Sequence, residues 1–217
     1  KVYDGTALTN SGYDVTGTFV GGDGFDSVTV EGAQTFVGQS ANEVKGYTLK
    51  TGTIAGNYDI TTEDGTLKVT AANIAITVTA GSDTKQYDGT ELSKNAFSVT
   101  PDTLASGDYV EATVEGTITN AGEAANTVKD IKVYHGTGTD KTDVTENYTV
   151  TPANGKLTVT AVPIKIAAKS DEKVYDGTAL SNSGYDVTGT FVGSDGFDSV
   201  TVEGAQTFVG QSANEVK

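Results

Sequence analysis

The sequence predicts an all-β protein, arranged as tandem small β-sandwich modules of immunoglobulin-like size in a linear array. Three observations predict it. Apolar and polar residues alternate at period two, glycine-bearing turn pairs punctuate the chain at short intervals, and the same motifs return in the same order. A β-grasp-like module is the alternative fold on the same pattern.

The alternation comes first because a strand puts successive side chains on opposite faces, so a half-buried strand reads apolar, polar, apolar. Val28 and Val30, Leu67 and Val69, Ile74, Ile76 and Val78, and Leu157 and Val159 are expected to point inward. Threonine is about a sixth of the chain and fills many outward positions, where its β-branched side chain suits a pleated surface and would lose χ1 freedom in a helix. Asp4-Gly5, Gly21-Gly22, Asp23-Gly24, Asp64-Gly65 and Asn154-Gly155 are pairs that tolerate positive φ and close hairpins. No long stretch keeps a 3.6-residue apolar period. The nearest candidate, residues 40–45, would give at most a single helical turn, so helix content is expected to be close to nil.

The repeats set the organisation. Residues 1–45 recur as 173–217, with only Thr9 against Ser181 and Gly22 against Ser194 changed. A more diverged copy lies between them. Tyr3-Asp4-Gly5-Thr6 returns as Tyr87-Asp88-Gly89-Thr90 and as Tyr175-Asp176-Gly177-Thr178, Val30-Glu31-Gly32 returns as Val114-Glu115-Gly116, and Asn57-Tyr58 returns as Asn147-Tyr148. The last correspondence has an offset six residues larger than the others, so the middle copy carries an insertion between Lys129 and Asn147. Three modules follow: A at residues 1–71, B at 72–161 and a partial A′ at 162–217. B and A′ each open on a strand-like lead, Asn73-Ile74-Ala75-Ile76-Thr77-Val78 and Pro163-Ile164-Lys165-Ile166, which A lacks, and A′ lacks the last strands. Each incomplete module is expected to expose unpaired backbone, to be completed by flanking repeats or by strand exchange between identical chains. The junctions Thr70-Ala71-Ala72-Asn73 and Thr160-Ala161-Val162-Pro163 contain no Gly/Ser tether, which predicts a stiff rod.

Composition excludes several classes of function. The net charge is −15, with a pI near 4.2, and the chain has no Arg. Binding a nucleic-acid backbone needs clustered cations, and an anionic membrane surface would repel this chain, so neither is an expected partner. Absence of Cys removes thiolate catalysis, Fe–S clusters and Cys-ligated zinc. No run approaches the 18 or so apolar residues of a membrane span, and no charged-then-apolar leader opens the chain. The chain starts inside a repeat and reads as an excerpt.

Among candidate sites, Tyr3-Asp4-Gly5, Tyr87-Asp88-Gly89 and Tyr175-Asp176-Gly177 are read as structural. They recur once per module, as a packed Tyr beside an Asp-Gly turn would. His135 is the only histidine, and with Asp140, Lys141 and Asp143 it falls in the stretch holding the insertion, read as an exposed loop that could contact a ligand. A Ser-His-Asp arrangement needs an imidazole base near a nucleophile, and His135 belongs to B alone; no carboxylate pair stands out for glycoside hydrolysis. Asp23, Asp26, Asp195 and Asp198 cluster in Gly-rich turns and are weak calcium candidates, without EF-hand spacing. An intramolecular Lys-to-Asn or Lys-to-Asp isopeptide bond would suit a stalk without disulfides, and Asn147-Tyr148-Thr149 fits a glycosylation sequon. No catalytic residue and no cofactor is assigned.

The pattern Lys-Val-Tyr-Asp-Gly-Thr-Ala-Leu, a central Val-Glu-Gly, then Asn-Tyr and a closing Gly-Thr-Leu-Lys-Val-Thr resembles the YDG/MBG-type repeats of bacterial surface proteins. The resemblance covers almost the whole chain. It implies an extracellular, surface-displayed adhesin in which such modules form a structural stalk or fibre, with no enzymatic activity, and whose partners are neighbouring modules or identical chains. The alternative expectation is a binding module that recognises host glycan or protein through the loops of B.

Overall fold

Two long strands run through the middle of the chain, Asp108–Glu115 and Gly122–His135, and they pair with each other. The computed structural model describes all residues from Lys1 to Lys217. It is all-β and contains several small sheets; the only helical elements are three single turns of 3₁₀-helix at Ala55–Asn57, Gly138–Asp140 and Thr145–Asn147. No helix is long and apolar enough to cross a membrane. The chain packs as two compact units, the first made of Lys1–Thr79, Phe97–Thr113 and Val128–Ala153, the second of Ala80–Ala96, Val114–Thr127 and Asn154–Lys217. Packing therefore does not follow the repeat boundaries, because module B is divided between the two units.

In the first unit, Gly38–Leu49 is the centre of an antiparallel sheet, flanked by Phe25–Glu31 and Gly65–Val69. Residues 40–45, the nearest thing to a helical turn in the sequence, lie inside this twelve-residue strand. Their extended backbone, with Asn42 buried in mid-strand, outweighs the local helix formers once ladders form on both edges. A second sheet has the lead strand of B, Ile74–Ala80, at its centre. It lies between Tyr148–Ala153, with which it runs parallel, and Phe97–Thr100. The end of Gly122–His135 pairs with Thr142–Asp143. Tyr3, Leu67, Val69, Ile76, Val78, Val133 and Tyr148 are buried here.

In the second unit, residues Gly122 to Asn126 pair antiparallel with Gly155–Thr160, which runs parallel to Asp83–Gln86. Leu92, Leu157 and Val159 form its core, with Tyr87 and Ile118 packed against them. The partial module contributes two small hairpin pairings, Lys165–Ala168 with Tyr185–Thr188 and Val202–Glu203 with Glu215–Val216.

Of the residues expected to point inward, Leu67, Val69, Ile76, Val78, Leu157 and Val159 are buried, whereas Val28, Val30 and Ile74 are half-buried. The turn pairs divide in the same way. Gly5 and Gly21 adopt positive φ, but Gly155 does not. Gly155 is required for a different reason, since a Cβ there would come within 2.3 Å of the Gly81 carbonyl oxygen.

Candidate functional site

Each Tyr-Asp-Gly-Thr motif folds into the same small turn. In module A, Asp4 Oδ1 accepts from the Thr6 amide at 2.9 Å, from the Thr6 hydroxyl at 2.8 Å and from Lys1 Nζ at 2.6 Å. Asp88 repeats this with Thr90 and Lys85, and Asp176 with Thr178 and Lys173. The lysine and the threonine donors hold all three carboxyls well below the usual carboxylate range. A short polar side chain that satisfies the backbone two residues on fixes the turn, and the following glycine takes φ of +80° in Gly5.

The turn carries its tyrosine to a buried acid. Tyr3 is anchored by its amide, which donates to the Thr70 carbonyl at 2.8 Å, and its side chain is almost wholly buried. Its hydroxyl donates to Asp108 Oδ1 at 2.8 Å. Asp108 starts the strand Asp108–Glu115, its side chain is 0% exposed, and it collects two further partners. The Tyr148 hydroxyl donates to Oδ2 at 2.7 Å, and His135 Nδ1 lies 2.7 Å from Oδ1. The Ala105 amide in turn donates to the Tyr148 hydroxyl at 3.0 Å. Backbone contact closes the joint: the Ser106 amide donates to the Asp4 carbonyl at 3.0 Å, and a Cβ on Gly5 would sit 1.9 Å from the Ser106 carbonyl oxygen. The Phe36 and His135 rings pack nearly perpendicular to each other, with centroids 5.4 Å apart.

A carboxylate this deep costs several kcal/mol to desolvate, on the order of magnitude seen for buried ions, unless its lone pairs are filled. Here three donors fill them. Burial, followed by the bonds to Asp108, pushes both the Tyr3 and Tyr148 phenols far above their ordinary range, so neither phenolate forms near neutrality. His135 Nδ1 faces Asp108 at 2.7 Å, and the Tyr3 hydroxyl, 3.5 Å from the same nitrogen, donates to Asp108.

A looser counterpart lies in the second unit, where Tyr87 and Asp195 line the same pocket, the Asp195 carboxylate raises the Tyr87 phenol, and a Cβ on Gly89 would touch Val192 at 3.3 Å. Inside module A the intramodular half is present too. The Tyr58 hydroxyl donates to Asp23 Oδ2 at 2.7 Å and accepts from the Val20 amide at 3.1 Å, as Tyr148 does with Asp108 and Ala105. Each module thus holds one acid, Asp23, Asp108 or Asp195, on the same Gly-rich turn. Asp108 accepts the motif tyrosine of the module before, and Asp195 lies beside it. Tyr175, the third motif tyrosine, is 56% exposed.

The remaining sequence candidates fall as follows. His135 ends a strand and faces a buried acid, and does not lie in an exposed loop. Asp140 closes a 3₁₀ turn; Lys141 reaches Glu111 at 2.6 Å and sits 3.9 Å over the Tyr134 ring; Asp143 accepts from the Thr145 hydroxyl and amide and then from Lys132, which hold its carboxyl down to about 2. Asp23 accepts from Tyr58 and Asp195 lies beside Tyr87, Asp26 and Asp198 are exposed, and no three acidic or histidine side chains gather at metal-holding distance. No lysine is among the buried polar residues, where an isopeptide bond would form, and Asn147 of the sequon is buried. Sequence reasoning missed Asp108. Its signal is an acid in the Gly-rich turn of every module, displaced by one residue in B. No family model, curated protein or solved structure matches this chain.

Proposed function

We propose that the chain is a structural stalk or fibre segment of a bacterial surface protein, in which repeated β-modules give reach and display a distal adhesive domain. One observation carries this reading. The motif tyrosine of one module meets the Gly-rich turn of the next, by a hydrogen bond in Tyr3 with Asp108 and by proximity in Tyr87 beside Asp195. A feature that recurs at successive module joints serves continuity along the chain, whereas a binding or catalytic site has no need of it. The repetition, the acidity that keeps neighbouring molecules apart and the resemblance to YDG/MBG-type repeats all support the same reading. Two side chains of the B loop are paired with neighbouring strand residues, Lys141 with Glu111 and Asp143 with Lys132, which favours the stalk over the loop as a ligand site.

Single-molecule pulling between the chain ends tests it. The double variant Tyr3→Phe, Asp108→Asn is expected to lower the force of one rupture event and leave the others unchanged. A force profile indifferent to the variant, or saturable glycan binding that is lost on trimming residues 136–143, would overturn the stalk reading.

A further inference from the structure

Module B opens and closes on strands that pair in parallel with each other's neighbours. Its opening strand, Ile74–Ala80, runs parallel to Tyr148–Ala153, from Tyr148 opposite Ile74 to Ala153 opposite Thr79. Its closing strand, Gly155–Thr160, runs parallel to Asp83–Gln86, from Leu157 opposite Asp83 to Thr160 opposite Gln86. The offset is the same in both ladders, 148 − 74 = 74 and 160 − 86 = 74. One ladder lies in each packing unit. Two further bonds extend the second: the Lys156 amide donates to the Ser82 hydroxyl at 3.0 Å, and the Tyr87 amide donates to the Thr160 carbonyl at 2.8 Å. Module A repeats the last contact, with Val2 in a parallel bridge to Thr70 and the Tyr3 amide 2.8 Å from the Thr70 carbonyl.

We propose that these ladders make module B a mechanical clamp, which carries tension along the chain as shear between its first and last strands. The clamp rests on the stalk reading for the source of its load. Tension arrives at the N-terminal end of Ile74–Ala80 and leaves from the C-terminal end of Gly155–Thr160, through junctions with no Gly/Ser tether. Tyr148–Ala153 is held from its C-terminal end by the strand that follows it, and Asp83–Gln86 from its N-terminal end by the strand that precedes it. The paired strands are parallel, so tension draws the two members of each ladder past each other. In that direction the bonds of a ladder share the load and break together, whereas a pull on two neighbouring ends peels them one after another. The grip is firmest where load arrives. Ile74–Ala80 lies between Tyr148–Ala153 and Phe97–Thr100, and Gly155–Thr160 lies between Asp83–Gln86 and Gly122–His135, so each directly loaded strand has a partner on both edges. Their inward side chains, Ile76, Val78, Leu157 and Val159, are at most 2% exposed. A slip of one residue along the ladder would turn that apolar set to the other face, so packing opposes the same displacement as the hydrogen bonds. Resistance of this kind is set by the barrier to unfolding and depends on the direction of pull.

The test pulls the whole chain in two directions. The chain has no cysteine, so a pair of introduced cysteines fixes the two points of attachment. Ala71, Glu146 and Ala161 are exposed, and substitution there leaves the core untouched. Handles on Ala71→Cys and Ala161→Cys load both ladders in shear. Handles on Ala71→Cys and Glu146→Cys load the N-terminal ends of Ile74–Ala80 and Tyr148–Ala153, and peel that ladder. The first pair is expected to open at a force several-fold higher than the second, in one step. That step frees the 161 − 71 = 90 residues between the handles, a length of up to about 300 Å. Adding Tyr3→Phe to both pairs is expected to leave the ratio of forces unchanged. Equal forces in the two directions, gradual lengthening without a step, or a ratio that collapses with Tyr3→Phe would each overturn the clamp. The stalk reading is tested on the tyrosine joint, by a different variant and a different rupture event, so the two fail separately.

Discussion

The hydroxyl of Tyr3 and the carboxylate of Asp108 meet at 2.8 Å across 105 residues of sequence, inside one packing unit. Hydrogen bonds to a charged group contribute about 1.5–3 kcal/mol. Tyr3→Phe keeps the buried ring and removes that bond, so chemical denaturation should show a loss in this range. Asp108→Ala leaves two tyrosine hydroxyls and His135 without their shared acceptor and should cost more, about 3–5 kcal/mol. The pair of variants separates hydroxyl from carboxylate. Equal losses would mean that the joint rests on the Tyr3 contact alone.

Gly5 and Gly177 occupy the same motif position with the same backbone, φ of +80° and +83°. Alanine at either incurs about 1–2 kcal/mol for the left-handed conformation. At Gly5 the added carbon also collides with the Ser106 carbonyl oxygen, at 1.9 Å, while at Gly177 it meets nothing within 4 Å. Gly5→Ala should therefore cost about 1–3 kcal/mol more than Gly177→Ala, the range for overpacking. Thermal melts of the two single variants measure the difference directly. Its absence would show that the loop and Ser106 separate without penalty.

The class of fold was legible because alternation and turn glycines are local signals, and Leu67, Val69, Ile76, Val78, Leu157 and Val159 are buried where alternation puts them. Asp108 was not legible. It belongs to the same Gly-rich turn as Asp23 and Asp195, but Gly107-Asp108 stands where the other modules have Asp-Gly, and a one-residue displacement hides an equivalence that the folded chain restores through the Tyr58 and Tyr148 contacts. His135 looked like a loop residue because glycines follow it. The strand extends to it because Tyr134 and His135 pair with Asp143 and Thr142, a contact that only the fold supplies. The repeat boundaries read from the sequence do not mark packing units, since a repeat reports which segments share a sequence pattern and packing reports which strands share a core.

Asn126 shows a second recurring device. It is 0% exposed, and its Nδ2 donates to the Gly81 and Lys94 carbonyls at 2.8 Å each. Asn42 makes the matching bond to the Asn10 carbonyl, and Asn214 makes both, to Lys169 and Asn182. Asn126→Ala removes both donors and leaves two carbonyls facing a void, which should cost about 1–3 kcal/mol for each unmet group. Asn126→Asp keeps the shape but aims a carboxylate at those carbonyls, and should be worse than alanine near neutral pH. Recovery of the Asp variant on acidification, as the carboxyl regains a donor, would be seen by circular dichroism. An Asp variant as stable as wild type would mean that the amide donors are not what holds the two loops.

Alkaline titration tests the joint without substitution. The Tyr3 and Tyr148 phenols are raised, chiefly by burial and then by the bonds to Asp108. A raised phenol in the folded state stabilises the fold fully below the unfolded value of about 10. That contribution is lost as pH climbs through the folded values, because the unfolded chain releases its protons first. Stability should hold level from neutrality to about pH 10 and then fall with a slope approaching two protons for this pair. In Tyr3→Phe and Tyr148→Phe the slope should shrink by one proton each. Denaturant midpoints measured across the alkaline range in wild type and both variants give those slopes, and identical slopes in all three would place the alkaline sensitivity outside the joint.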